Sequence, residues 1–71
     1  MVRSNTQILI KQIRLEKKMT QHQLADFCDL PRSYISKLEG GTTHPTLEML
    51  FRVCKGLEIK PSSFVKRLEE F

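Results

Sequence analysis

Apolar positions along this chain recur at helical spacing, and no stretch alternates apolar and polar for long enough to read as a strand. Leu9, Ile10 and Ile13 form one stripe, with Thr6 and Lys17 on its line and Arg14 at its edge, which predicts a first helix over roughly residues 5–17. Thr20-x-x-Gln23 has the form of a capping box, in which the hydroxyl and the amide satisfy each other's exposed backbone donors. It starts a second helix that carries Leu24, Ala25, Phe27 and Cys28 inward. Asp29 and Leu30 break that helix, and Pro31 has the fixed φ suited to the first turn of a third. The third runs to Glu39, where Gly40–Gly41 stops it, and "TTHP" at 42–45 is a loop. Thr46 caps a fourth helix with Leu47, Leu50, Val53, Cys54 and Leu57 inward, and Pro61 opens a fifth with Phe64, Val65, Leu68 and Phe71 on one side. The pattern predicts an all-α fold: five short helices in one domain spanning 1–71, without repeats or low-complexity segments.

Composition narrows this picture. A chain of 71 residues buries only about 60% of its unfolded surface, so a partner subunit is expected to share the burden of stability. Lys and Arg total 12 against 8 acidic residues, and the excess is uneven: seven to four in residues 1–40, five to four in 41–71. A basic lean in one half suggests a polyanionic partner, although charge balance also serves solubility. No apolar run exceeds three residues, as at Ile8–Leu9–Ile10, which excludes a membrane span and a signal-peptide core. The expected compartment is the cytoplasm, where thiols stay reduced. Cys28 and Cys54 fall on apolar stripes and read as small buried hydrophobes. Neither has a His or a second Cys at ligand spacing, so no metal or other cofactor is expected, and His22 and His44 read as surface residues. No Ser–His–acid or Cys–His arrangement falls out of the spacing and no Gly-rich phosphate loop follows a strand, which argues against an enzyme.

The third helix has an unusual outer face. On a wheel of about 100° steps, Pro31 and Leu38 lie within about 60° of Ile35 and form the buried edge. Ser33, Ser36, Lys37 and Gly40 point the other way, with Arg32 at the flank. Arg and Lys can donate to guanine O6 and N7, Ser can donate or accept, and short side chains let the backbone approach a major groove. A solvated helix face is the plainer reading of the same residues. The second helix weighs toward DNA, because two helices joined by a three- or four-residue turn must touch closely and Ala25 supplies the missing bulk at their crossing.

"MTQHQLADFCDLPRSYISKLEGG" resembles the helix-turn-helix of the lambda-repressor-like (xenobiotic-response-element) regulators, through Thr20–Gln21, Leu24–Ala25, the turn at Asp29, Ile35 and Leu38–Glu39. "IRLEKKMTQ" (13–21) and "PTLEMLFRVCKGLEI" (45–59) resemble the family's first and fourth helices, so the likeness covers nearly the whole chain. "IRLEK" and "KGLEI" are most similar to the small controller proteins of restriction–modification systems.

The resemblance implies a compact five-helix DNA-binding domain with its helix-turn-helix at about 20–40, and with helices four and five, about 46–70, serving core and dimerisation. Arg32, Ser33 and Lys37 take the base-reading positions, with Ser36 beside them. Thr20 and Gln21 match the phosphate-contacting start of helix two, where exposed backbone N–H groups favour an anion. Tyr34 matches an edge position whose hydroxyl can reach the DNA backbone or whose ring can simply pack, and Thr42, Thr43 and His44 match a backbone-contacting loop. The family also pairs the positions of Arg14 and Glu39, which implies a partly buried salt bridge between helices one and three. Met49 and Phe51 sit about 100° to either side of helix four's apolar stripe, and with Ile59 and Phe71 they either form a subunit contact or pack within the monomer.

The implied function is a sequence-specific transcriptional regulator of prokaryotic or phage origin, in the cytoplasm at the nucleoid. It binds a palindromic double-stranded operator as a homodimer, without a membrane, and RNA polymerase is a further implied partner. The alternative is a protein-interaction module of a toxin–antitoxin or prophage system that uses the helix-turn-helix only as a scaffold. That module predicts weak, salt-labile DNA binding with no sequence preference. Three departures stand out: Asp29 replaces the family's usual Gly, Pro31 replaces a Ser or Thr cap, and Gly40, Thr42 and Thr43 are neutral where Lys or Arg is common. The last predicts a shallower salt dependence.

Overall fold

Ser4 starts the first helix through a reciprocal cap: its Oγ accepts from the Gln7 backbone N–H (3.4 Å), and Gln7 Oε1 accepts from the Ser4 N–H (2.7 Å). The computed structural model describes residues 4–71, so residues 1–3 of the predicted domain lie outside the described residues. Helix α1 then spans Asn5–Glu16. Thr20 and Gln23 make the same cap, at 3.0 and 2.9 Å, for α2 (Gln21–Cys28). Helix α3 (Arg32–Gly40) follows Pro31 with no side-chain cap. Thr46 Oγ1 accepts from the Met49 N–H at 3.1 Å to start α4 (Leu47–Gly56), and Pro61 sits in the first turn of α5 (Pro61–Glu69). The fold is all-α, with no strand among the described residues.

The left-handed conformation ends two of these helices and sets the turns after two others. Asp29 (φ 57°) ends α2 and Gly41 (φ 84°) ends α3, while Lys18 and Glu58 take positive φ just beyond α1 and α4. The chain therefore changes direction within a few residues at these junctions, and among consecutive helices α2 packs on α3 and α4 on α5.

One hydrophobic cluster joins all five: Leu9, Ile10 and Ile13 from α1, Leu24, Ala25 and Cys28 from α2, Ile35 and Leu38 from α3, Val53 and Cys54 from α4 with Leu57 just beyond it, and Phe64 from α5. Each large side chain so enclosed contributes about 1.5–3 kcal/mol, and together they hold α3 with its inner edge locked. Helix α2 packs against both α3 and α4, and α1 bridges α3 and α5. Arg67 donates to both Glu16 carboxylate oxygens (3.0 and 2.8 Å), pinning α5 to the end of α1. Both groups are solvated, so this pin orients more than it stabilises. The Arg67 hydrogen bond holds the Glu16 carboxyl below its usual range.

The buried stripes are narrower than periodicity alone predicts. Phe27, Leu47, Val65 and Phe71, assigned inward from spacing, are 58, 69, 46 and 49% exposed. Phe27 falls beyond the strip of α2 that α3 and α4 cover, and Leu47 stands in the first turn of α4, before that helix reaches the core. Pro31 is exposed as well, because it precedes α3 rather than joining its inner edge. Lys17, just past the end of α1, is exposed; on α1 itself Thr6 is half-buried and Gln7 fully enclosed. Burial pushes the Cys54 thiol up to about 11 and raises that of Cys28, and both are free thiols. No helix among the described residues is long and apolar enough to cross a membrane.

Candidate nucleic-acid interface

Helix α3 presents Arg32, Ser33, Ser36 and Lys37 to solvent on one side while Ile35 and Leu38 are sealed on the other. The face is flat, because nothing bulkier than a serine stands between its two cations. Gly40 continues it: a methyl group there would meet no atom within 4 Å.

What lies behind α3 makes it rigid. Glu39, 3% exposed, takes a two-pronged ion pair from Arg14, with Nε to Oε2 at 2.7 Å and Nη2 to Oε1 at 3.0 Å. The same guanidinium donates from Nη1 to the Met19 carbonyl at 2.7 Å, just before α2 begins. Gln21 Nε2 donates to Glu39 Oε1 at 3.1 Å, so one carboxylate ties α1, α2 and α3 together. This bond also fixes the direction of the half-exposed Gln21 amide, whose nitrogen carries a second N–H for a further acceptor. Thr20 has its hydroxyl engaged in capping α2. His22 stands exposed on the first turn, 3.5 Å from Asp26. A shallow cleft lined by Thr20, Gln21, His22 and Arg32 runs between the starts of α2 and α3.

The loop after α3 is anchored from α1. Gln7 Nε2 donates to the Thr43 carbonyl, and the Thr42 N–H donates to the Lys37 carbonyl at 2.9 Å. Thr42 and His44 remain exposed on this braced segment, and Thr43 is half-buried. Tyr34 is half-buried against the core, and that burial raises its hydroxyl pKa, so its ring at least packs.

The residues assigned to a subunit contact divide. Phe51 (52% exposed) and Phe71 offer open apolar surface, whereas Met49 and Ile59 are half-buried and Ile59 packs on the core. Sequence reasoning missed two supports of the site. Ser4-x-x-Gln7 has the same signature as Thr20-x-x-Gln23 and was legible on that ground. Arg52 donates from α4 to the carbonyls of Cys28 and Asp29, at 3.1 and 2.6 Å, a contact across helices that no local pattern signals.

Comparison with known proteins gives consistent likenesses. The sequence matches the family described as "Helix-turn-helix" over residues 10–64. The control protein C.BamHI of Bacillus amyloliquefaciens is 40% identical over 57 residues, covering 79% of this chain and 70% of that protein. The immunity repressor protein of Bacillus phage phi105 is 43% identical over 56 residues, 79% of this chain but 39% of the repressor. Among solved structures, the restriction–modification controller protein C.Esp1396I, as a tetramer in complex with its natural 35-base-pair operator, superposes with a TM-score of 0.92 at 40% identity, covering 94% of this chain and 88% of that one. The same protein bound to a 19-base-pair duplex superposes at 0.90 and 40% identity, covering 94% and 89%.

Proposed function

Because this chain belongs to the helix-turn-helix family of lambda-repressor-like regulators, we propose that it is a sequence-specific transcriptional regulator that binds operator DNA as a homodimer. The observation that carries this is the outer face of α3: four exposed donor-bearing side chains on a helix whose opposite side is fully locked into the core. In this reading Arg32, Ser33, Ser36 and Lys37 enter the major groove and contact base edges. Gln21 and Thr20, at the start of α2, and Thr42, Thr43 and His44, in the braced loop, lie along the phosphates, with Tyr34 at the margin. Phosphate contacts set the register, and base contacts carry the discrimination. The exposed Phe51 and Phe71 form the subunit contact, with Met49 and Ile59 at its margin.

Similarity to the control protein C.BamHI and to the restriction–modification controller C.Esp1396I favours the control of such a system over phage immunity, which the phage repressor represents. The protein then works in a prokaryotic cytoplasm as a binding protein rather than an enzyme. Footprinting on the DNA upstream of its own gene tests this. Two protected half-sites related by a palindrome support the reading, and uniform weak protection that vanishes with salt contradicts it.

A further inference from the structure

The turn between α2 and α3 is held from a third helix. Within the turn, Asp29 takes its left-handed conformation, its N–H donates to the Asp26 carbonyl at 3.2 Å, and the Leu30 N–H donates to the Ala25 carbonyl at 2.9 Å. Arg52 reaches across from α4 and donates from one nitrogen, Nη2, to the next two carbonyls, Cys28 O at 3.1 Å and Asp29 O at 2.6 Å. A guanidinium at this end of α2 also meets the negative end of the helix dipole. Helix α4 also packs its backbone closely against the end of α2 that leads into this turn, since a Cβ added at Gly56 would overlap Cys28 Sγ. Arg52 is half-buried, and its bond to the Cys28 carbonyl is partly shielded from water while the one to Asp29 is exposed.

We propose that Arg52 is a positioning residue for sequence discrimination, acting through the Cys28 and Asp29 carbonyls to fix the angle at which α3 leaves α2. The proposal rests on the reading of α3 as the base-contacting helix. Base-edge hydrogen bonds demand close alignment, whereas contacts to phosphate tolerate displacement and carry no sequence information. Loosening the turn therefore degrades the preferred site more than random DNA. Arg52 follows Phe51 in sequence, so the helix that carries the proposed subunit contact also grips the turn that aims the reading head.

Two variants test this. Arg52→Met keeps the apolar stem and removes every donor, and Arg52→Lys keeps the charge and one donor group. Each is compared with the natural chain below its melting transition, reading the ratio of Kd on random DNA to Kd on the preferred site. Amide exchange at Leu30 is read in the free protein. Arg52→Met should lower the ratio about tenfold, within the discrimination one base contact provides, and should speed Leu30 exchange, with Arg52→Lys recovering part of both. An unchanged ratio in folded Arg52→Met, an equal loss on both DNAs, or unaltered Leu30 exchange would overturn the assignment. A natural chain with a ratio near one would contradict the DNA reading itself, and Leu30 exchange would still report whether Arg52 holds the turn.

Discussion

Arg14 and Glu39 face each other across the α1–α3 contact as a two-pronged ion pair, 7% and 3% exposed, with heavy-atom distances of 2.7 and 3.0 Å. The guanidinium and carboxylate planes match, and further bonds to Met19 O and from Gln21 satisfy groups the pair alone leaves over. Removing Arg14 takes the opposite charge away from a buried carboxylate. Arg14→Ala should therefore cost about 3–5 kcal/mol in chemical denaturation, and Arg14→Lys should recover only part, since an ammonium cannot match both oxygens. A loss under about 1 kcal/mol, typical of an exposed pair, would show that the bridge does not hold α3.

Gly56 admits α4 to α2. A methyl group there would overlap Cys28 Sγ and press on Leu24 Cδ1 and the Cys28 backbone N at 3.2 Å each. Gly56→Ala should destabilise by about 1–3 kcal/mol, and Cys28→Ala in the same chain should restore part of it. Gly40→Ala is the control, with open space around it and a helical residue's gain of up to about 1 kcal/mol. Additive effects of the Gly56 and Cys28 changes would remove the proposed overlap.

Phe51 is 52% exposed on α4, away from the core. Phe51→Glu should leave the fold intact and place a charge in the subunit contact. Sedimentation should then show a monomer, with operator affinity sharply reduced because the second half-site no longer contributes. An unchanged dimer would place the contact elsewhere, with Leu47 and Val65 the next exposed apolar positions to test.

The helix boundaries were legible because their signals are local. The Thr20 cap, the Asp29 end and Pro61 each act within a few residues, so pattern and structure coincide there, while α3 runs one residue past the expected Glu39 before Gly41 ends it. Burial depends on what covers a helix, which spacing cannot report. Phe27, Leu47, Val65 and Phe71 share helical spacing with core residues yet lack a covering neighbour. The outward face of α3 followed from the wheel, but its supports did not. Arg52 lies 23 residues from Asp29 and Gln7 lies 36 from Thr43, separations at which only the folded chain brings donor and acceptor together.

The central claim is that α3 reads bases while the start of α2 holds the backbone, and binding titrations over a randomised-site library with Arg32→Ala and Gln21→Ala test it most directly. Half-site centres should lie about 10 bp apart or at a multiple of that, as two recognition helices on one face of the DNA require. With the two-pronged Arg14–Glu39 pair still holding α3, Gln21→Ala should weaken all sequences alike with little change in salt slope, because a neutral amide releases no counterion. Arg32→Ala should cost about 1–3 kcal/mol on the preferred site and relax discrimination at one base pair per half-site. An Arg32→Ala loss equal on every sequence would contradict the account, making Arg32 a backbone clamp and leaving base reading to Ser33, Ser36, Lys37 or DNA shape.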